Sequence, residues 1–238
     1  MRFKACAFLG AVLAVSSGIR VIAQTATQPI DAAATHPEVT FKFERPGLAV
    51  PRYTILLRED GTGRYLADEA VTSPSSQSSS AMQYAGGKHI DRPMTLSPAT
   101  TEKIFKTARA LNFFNVECAS KAKNIANTGD KTLSYSGNDG KGSCEYNYSD
   151  NKSVSTLTDM FLAIAFTMDE GRRLEFLHRY DRLGMDAEIT SLANEVQAGR
   201  AMELSTIAPT LDAIAGDAAV MQRVRLRAEK LLEQSKDK

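Results

Sequence analysis

Hydrophobic and polar positions first alternate at Val39, Phe41 and Phe43, which are separated by Thr40 and Lys42. Strict alternation sends one set of side chains to one face of an extended chain. The segment therefore predicts a half-buried strand, stopped at Pro46-Gly47. Pro51 opens Arg52–Arg58, where Tyr53, Ile55 and Leu57 point one way and Thr54 and Leu56 the other. Asp60-Gly61 supplies a turn, because both residues reach positive φ at low cost, and Arg64–Ala67 returns. Lys88–Leu96 carries a further strand of the same sheet. A second hairpin is predicted from Lys131–Tyr135 and Ser143–Tyr148, around the turn-rich Ser136–Gly142, with Cys144, Tyr146 and Tyr148 on one face.

The period then changes. Ser97-Pro98 reads as an N-cap followed by proline at the first helical position. Ile104, Ala108 and Leu111 repeat at helical spacing, and Phe105 widens that face. The helix is expected to end near Asn112, with Phe113-Phe114 pinning its end to the sheet. From Val154 onward the chain reads as helical. Leu157, Phe161, Ile164 and Met168 give one stripe, and Leu174 and Leu177 continue it toward Gly184. Asp186 is expected to cap a helix bearing Ile189, Leu192 and Val196. Pro209 requires a break within Ala201–Ala215. Asp217 is expected to cap a last helix carrying Val220, Val224 and Leu231. The pattern predicts an α+β fold: a small antiparallel sheet of ββαββα-like order with a packed helix, over residues 39–168, followed by an all-helical C-terminal tail, 169–238. Short connections between amphipathic helices imply antiparallel packing.

Two stretches carry no periodicity. Ser73–Gly87, rich in Ser, Gln and Gly, reads as a mobile loop. Residues 24–38 read as a disordered leader. Ahead of that leader stand a basic start at Arg2 and Lys4, an apolar run from Ala5 to Val15, and small or branched residues at Val21 and Ala23. This is the layout of a cleavable signal peptide over residues 1–23, with cleavage after Ala23. The apolar run is shorter than the roughly 20 residues a spanning helix needs. The chain is thus expected to be secreted or periplasmic, with no membrane span after cleavage.

Composition adjusts this picture at two points. Cleavage would remove Arg2, Lys4 and Arg20 and no acidic residue, taking the net charge from +1 to −2. That balance argues against nucleic acid as the partner. Cys6 would leave with the signal peptide, and Cys118 and Cys144 would remain. Two thiols in an oxidising compartment predict one disulfide. It would close a loop of about 25 residues, worth roughly 3 kcal/mol in the chain-entropy model.

The stretch Pro51-Arg-Tyr53-Thr-Ile55-Leu-Leu57-Arg-Glu-Asp60-Gly61-Thr-Gly63-Arg-Tyr65 resembles the hairpin of a family of uncharacterised secreted bacterial domains, a domain of unknown function. In that family P-x-Y-x-(I/V/L)-x-(I/V/L) is followed by a D-G turn and a tyrosine strand. The resemblance implies a ββαββα order from residue 39 to about 168, roughly half the chain, and implies no ligand or activity. This chain lacks the paired cysteines ahead of the first hairpin that many such domains carry.

No motif with a catalytic mechanism is present. Asn127–Thr132 departs from a phosphate loop, because Asp130 separates Gly129 from Lys131 and its carboxylate would repel phosphate. The turns at Asn138–Lys141 and Ser149–Asn151 lack the acidic alternation and closing Glu of a calcium loop. His36, His89 and His178 lie far apart, so no metal or cofactor is expected. The densest polar group is Glu175–Arg182. There His178, Asp181 and Arg182 sit at i, i+3 and i+4 and could share a helix face, as a general base and its orienting carboxylate do. Arg223, Arg227 and Lys230 share a face of the last helix. Two readings result. The first is a noncatalytic binding or interaction module for an unknown protein or envelope component, with the helical tail presenting a surface or forming a homodimer. The second is a periplasmic or extracellular enzyme, such as a hydrolase, with its site near His178 and Asp181.

Overall fold

A computed structural model describes residues 36–70 and 88–236. The expected signal peptide, almost all of the expected leader and the expected Ser73–Gly87 loop lie outside the described residues. Strands β1 (Glu38–Glu44), β2 (Arg52–Arg58), β3 (Thr62–Glu69) and β4 (Lys88–Thr95) come first, then helix α1 (Pro98–Ala110) and a 3-10 turn at Asn112–Phe114. Strands β5 (Asp130–Gly137) and β6 (Gly140–Tyr146) follow. Helices α2 (Lys152–Tyr180), α3 (Met185–Gln197), α4 (Ala208–Gly216) and α5 (Gln222–Lys236) complete the chain. The fold is α+β. Its single sheet has the order β4-β3-β2-β1-β5-β6, all antiparallel, and is larger than the four strands of a ββαββα unit.

Alternation decides which face is buried. One inner row crosses all six strands as Cys144, Leu133, Phe41, Ile55, Tyr65 and Arg92, and the next as Tyr146, Lys131, Phe43, Tyr53, Ala67 and Ile90. Except for Arg92 these residues are buried, whereas Thr40, Thr54, Ser134 and the pairs Arg52–Asp68 and Arg64–Asp91 occupy the outer face. The β2–β3 turn forms as its sequence demands. Gly61 takes φ +84°, and Asp60 accepts a hydrogen bond from the Thr62 amide at 2.8 Å.

Helices α1 and α2 cover the inner face. Ser97 caps α1, its Oγ accepting from the Thr100 amide, and Pro98 stands in the first turn. Phe161 of α2 stacks on Phe41 at 4.9 Å between ring centroids. Phe113 lies 5.0 Å from Tyr135, so the Phe-Phe pair does tie the helix exit to the sheet. Cys118 and Cys144 form the expected disulfide, with Cα atoms 5.9 Å apart. Tyr148 lies beyond the end of β6 and is exposed, unlike Cys144 and Tyr146.

The boundary at residue 168 has a physical counterpart but no break in the backbone. Helix α2 runs unbroken for 29 residues, about 43 Å at 1.5 Å per residue. Up to Met168 its buried side chains belong to the sheet's core, and from Leu174 they belong to a second core shared with α3, α4 and α5. Gly171 lies between the two. A Cβ there would meet Ile207 Cγ2 at 2.3 Å, so glycine lets the Leu204–Ile207 turn press against the helix. Residues 34–238 form one compact unit.

Two expected helix caps are corrected. Asp186 lies inside the first turn of α3, where the N-cap position belongs to Gly184; its carboxylate instead receives Arg223 and Arg227 of α5, each at 3.0 Å. Asp217 precedes α5 by five residues and accepts from the Ala219 amide, closing the turn after α4. Pro209 sits where the break was expected, in the first turn of α4.

Candidate functional site

The structure separates the sequence-predicted triad. His178 Nε2 meets Asp217 Oδ2 at 2.9 Å, and Arg182 reaches the same oxygen at 3.3 Å. Asp181 turns away and accepts from the Gly184 amide, closing the α2–α3 turn. His178 thus has a carboxylate partner, but it comes from 39 residues downstream. The Ala219 amide and His178 hold the Asp217 carboxyl below its ordinary range. The group clasps the end of α2 to the α4–α5 turn. None of the three residues lines any of the three clefts described here.

The largest of those clefts, about 860 Å³, lies between α2, the β1–β2 loop and the adjoining ends of β3 and β4. It exists because α2 is longer than the strands it covers. Leu162, Phe166, Asp169, Arg173, Phe176 and Tyr180 recur at helical spacing and all face it. The opposite wall includes Leu48 and Val50 of the β1–β2 loop. At the outer end Phe176 and Tyr180 are 59% and 68% exposed, with ring centroids 5.0 Å apart. A smaller cleft of about 670 Å³ runs along α1, and one of about 320 Å³ lies between the end of α3, the Leu204–Ile207 turn and the end of α5.

The middle of the large cleft is charged and under-bonded. Arg92 of β4 grips Glu175 of α2 with two hydrogen bonds, at 3.0 and 2.6 Å. Arg172 reaches Glu69 at 3.4 Å and Asp169 at 3.6 Å. Behind them the Tyr65 hydroxyl, fully buried on β3, is turned toward the Asp169 carboxyl. Among the described residues five buried side-chain atoms lack a hydrogen-bond partner, and four gather here: Tyr65 Oη, Asp169 Oδ1, Glu170 Oε2 and Arg172 Nε. Buried polar atoms are normally paired, so this concentration singles out the cleft as the candidate site.

The electrostatics follow from burial. Desolvation raises the Asp169 carboxyl above its ordinary range, against the opposing pull of Tyr65 and Arg172. Glu170, with a side chain only 7% exposed, is pushed up to about 8 by burial and by Glu188 of α3 alongside it. Burial and Asp169 together raise the phenols of Tyr53 and Tyr65. Among the described residues no serine, threonine, cysteine or histidine lines this cleft, and no cluster of His, Cys, Asp or Glu could hold a metal ion.

The sequence reading stopped just short of this site. The window Glu175–Arg182 overlaps it at Glu175, Phe176, Arg179 and Tyr180, but Asp169, Glu170 and Arg172 were passed over. A usable signal was present: Leu162, Phe166, Asp169, Arg173, Phe176 and Tyr180 mix aromatic and charged residues on one helical stripe, which neither a core face nor a solvated face does. Tyr65, Lys88 and Arg92 carried no local signal, since only strand pairing brings them to α2.

No model of a known protein family matches the chain, and no curated protein matches it significantly.

Proposed function

We propose that this chain is a secreted or periplasmic noncatalytic binding module whose ligand seats in the cleft between α2 and the sheet. The observation that carries the reading is the gathering of four buried polar atoms that make no hydrogen bond, Tyr65 Oη, Asp169 Oδ1, Glu170 Oε2 and Arg172 Nε, beside an open channel with an exposed aromatic rim. The cleft volume lies within the roughly 300–1,000 Å³ of small-ligand sites. The Met1–Ala23 pattern and the Cys118–Cys144 disulfide support an oxidising, extracytoplasmic location. Among the described residues no helix is long and apolar enough to cross a membrane. For self-association through the tail, Phe176, Tyr180, Leu183 and Leu226 are its exposed large apolar residues among those described.

The test is thermal shift of the oxidised protein against short peptides, oligosaccharides, fatty acids and nucleotides, repeated with Asp169→Asn and Arg172→Met. A compound that raises the melting temperature of the wild type and not of the variants supports the reading. Equal shifts in the variants, or turnover of a compound, would overturn it; turnover would point to Asp169 and Glu170 as an acid–base pair.

A further inference from the structure

We infer that the ligand of this cleft is an extended peptide segment that carries acidic side chains beside apolar ones. The inference rests on the binding reading above and names its ligand class.

Shape comes first. The cleft-facing stripe from Leu162 to Tyr180 is about 27 Å long at the helical rise of 1.5 Å per residue. That length matches about eight residues of extended chain at 3.3 Å each. The channel is bounded on its other side by the β1–β2 loop, so an elongated ligand can lie along α2.

The hydrogen-bonding inventory comes next. The cleft lining offers groups of both kinds. The partly exposed side chain of Arg92 donates, and those of Glu175 and Glu69 accept. A peptide backbone offers a carbonyl and an amide at each residue and can answer both. An acyl chain answers neither along its length. Hydroxyl groups of a glycan could answer both, but Leu162, Phe166 and Leu48 line the same channel and call for apolar side chains that a glycan lacks.

Charge sets the sign. Five cationic side chains line the cleft. Arg92 is paired with Glu175, Arg172 with Glu69 and Asp169, and Arg173 with Glu188 and Glu170. Lys88 and Arg179 form no ion pair among the described residues, and both are exposed; Arg179 lies over the Tyr180 ring at 5.9 Å. Two uncommitted cations on the lining that also carries Phe176 and Tyr180 complement a carboxylate on a segment with aromatic or aliphatic side chains.

The experiment is selection from a displayed random heptapeptide library on the full-length oxidised protein, followed by titration of the enriched peptides at low and physiological salt. The peptides are expected to be acidic and to alternate acidic with apolar residues. Binding should weaken at least about tenfold in the double variant Lys88→Glu/Arg179→Glu, which changes only exposed side chains, and should weaken with salt. No enrichment over the bare support overturns the inference, as do peptides that bind the double variant as well as the wild type. If the library yields nothing while a glycan or fatty acid shifts the melting of the wild type and not of Arg172→Met, the peptide assignment fails and the cleft remains the binding site.

Discussion

Removing the Glu203 carboxylate should loosen the helical half of the molecule from the sheet half. Glu203 stands just before the Leu204–Ile207 turn in a left-handed conformation, φ 58° and ψ 50°. From there its carboxylate accepts from the Ser97 amide at 2.7 Å, Ser97 Oγ at 2.8 Å and Thr100 Oγ1 at 2.5 Å. It thus places a negative charge on the N-terminus of α1, where the helix dipole favours it. Hydrogen bonds to a charged acceptor are worth about 1.5–3 kcal/mol each. The site is half-buried and the three bonds share one carboxylate, so Glu203→Ala should cost about 3 kcal/mol in total rather than their sum. Glu203→Gly loses the same contacts but relieves a left-handed strain of about 1–2 kcal/mol, so it should cost about 2 kcal/mol. Glu203→Gln keeps one oxygen acceptor and should fall between the wild type and alanine. The assay is urea unfolding under oxidising conditions, with stability read from the midpoint at constant slope. An alanine variant within about 0.5 kcal/mol of the wild type would refute the bonding argument. Alanine and glycine variants of equal stability would refute the strain argument.

Other predictions follow from the same packing. Phe161→Ala removes the ring stacked on Phe41 and should cost about 3–5 kcal/mol in the same urea assay; a loss below about 1 kcal/mol would show that the two layers do not pack as described. Replacing both Cys118 and Cys144 by alanine opens a span of 26 residues and should cost about 3 kcal/mol, measured against the oxidised wild type. Glu170 carries a folded pKa of about 8 against an ordinary 4.5, so the folded state binds the extra proton, and stability is lost as pH rises between those values. Arg173 opposes the shift that burial and Glu188 produce, so the loss should be about 1–3 kcal/mol, and Glu170→Gln should flatten the pH profile of the melting temperature on its alkaline side. A Gln variant with the wild-type slope would assign that pH dependence to another group.

Local patterns announced most of the fold. Alternation at Val39–Phe43 and Arg52–Arg58, the Asp60-Gly61 turn and the Ser97-Pro98 cap each act through the residue itself and its immediate neighbours. Asp186 and Asp217 misled because an aspartate ahead of an apolar run satisfies the same local rule whether it caps or not. Their actual partners, Arg223 and Arg227 for one and His178 and Arg182 for the other, lie far away in sequence. The same limit hid the candidate site. Register places Arg92 opposite Tyr65 and delivers it to Glu175, 83 residues on. The continuity of α2 past Met168 also mattered, because the boundary expected at residue 168 falls inside one helix whose buried side chains change core near Gly171.

The chain contains no tryptophan, so Phe176→Trp would place a single indole reporter at the mouth of the cleft. The most direct test of the binding reading is the emission of that variant, titrated with each compound or selected peptide that raises the wild-type melting temperature. A ligand lying along α2 should shift the emission of this exposed indole to shorter wavelength, with the affinity found by calorimetry on the wild type. Binding by calorimetry with an unchanged emission spectrum would place the ligand elsewhere and contradict the assignment of the cleft.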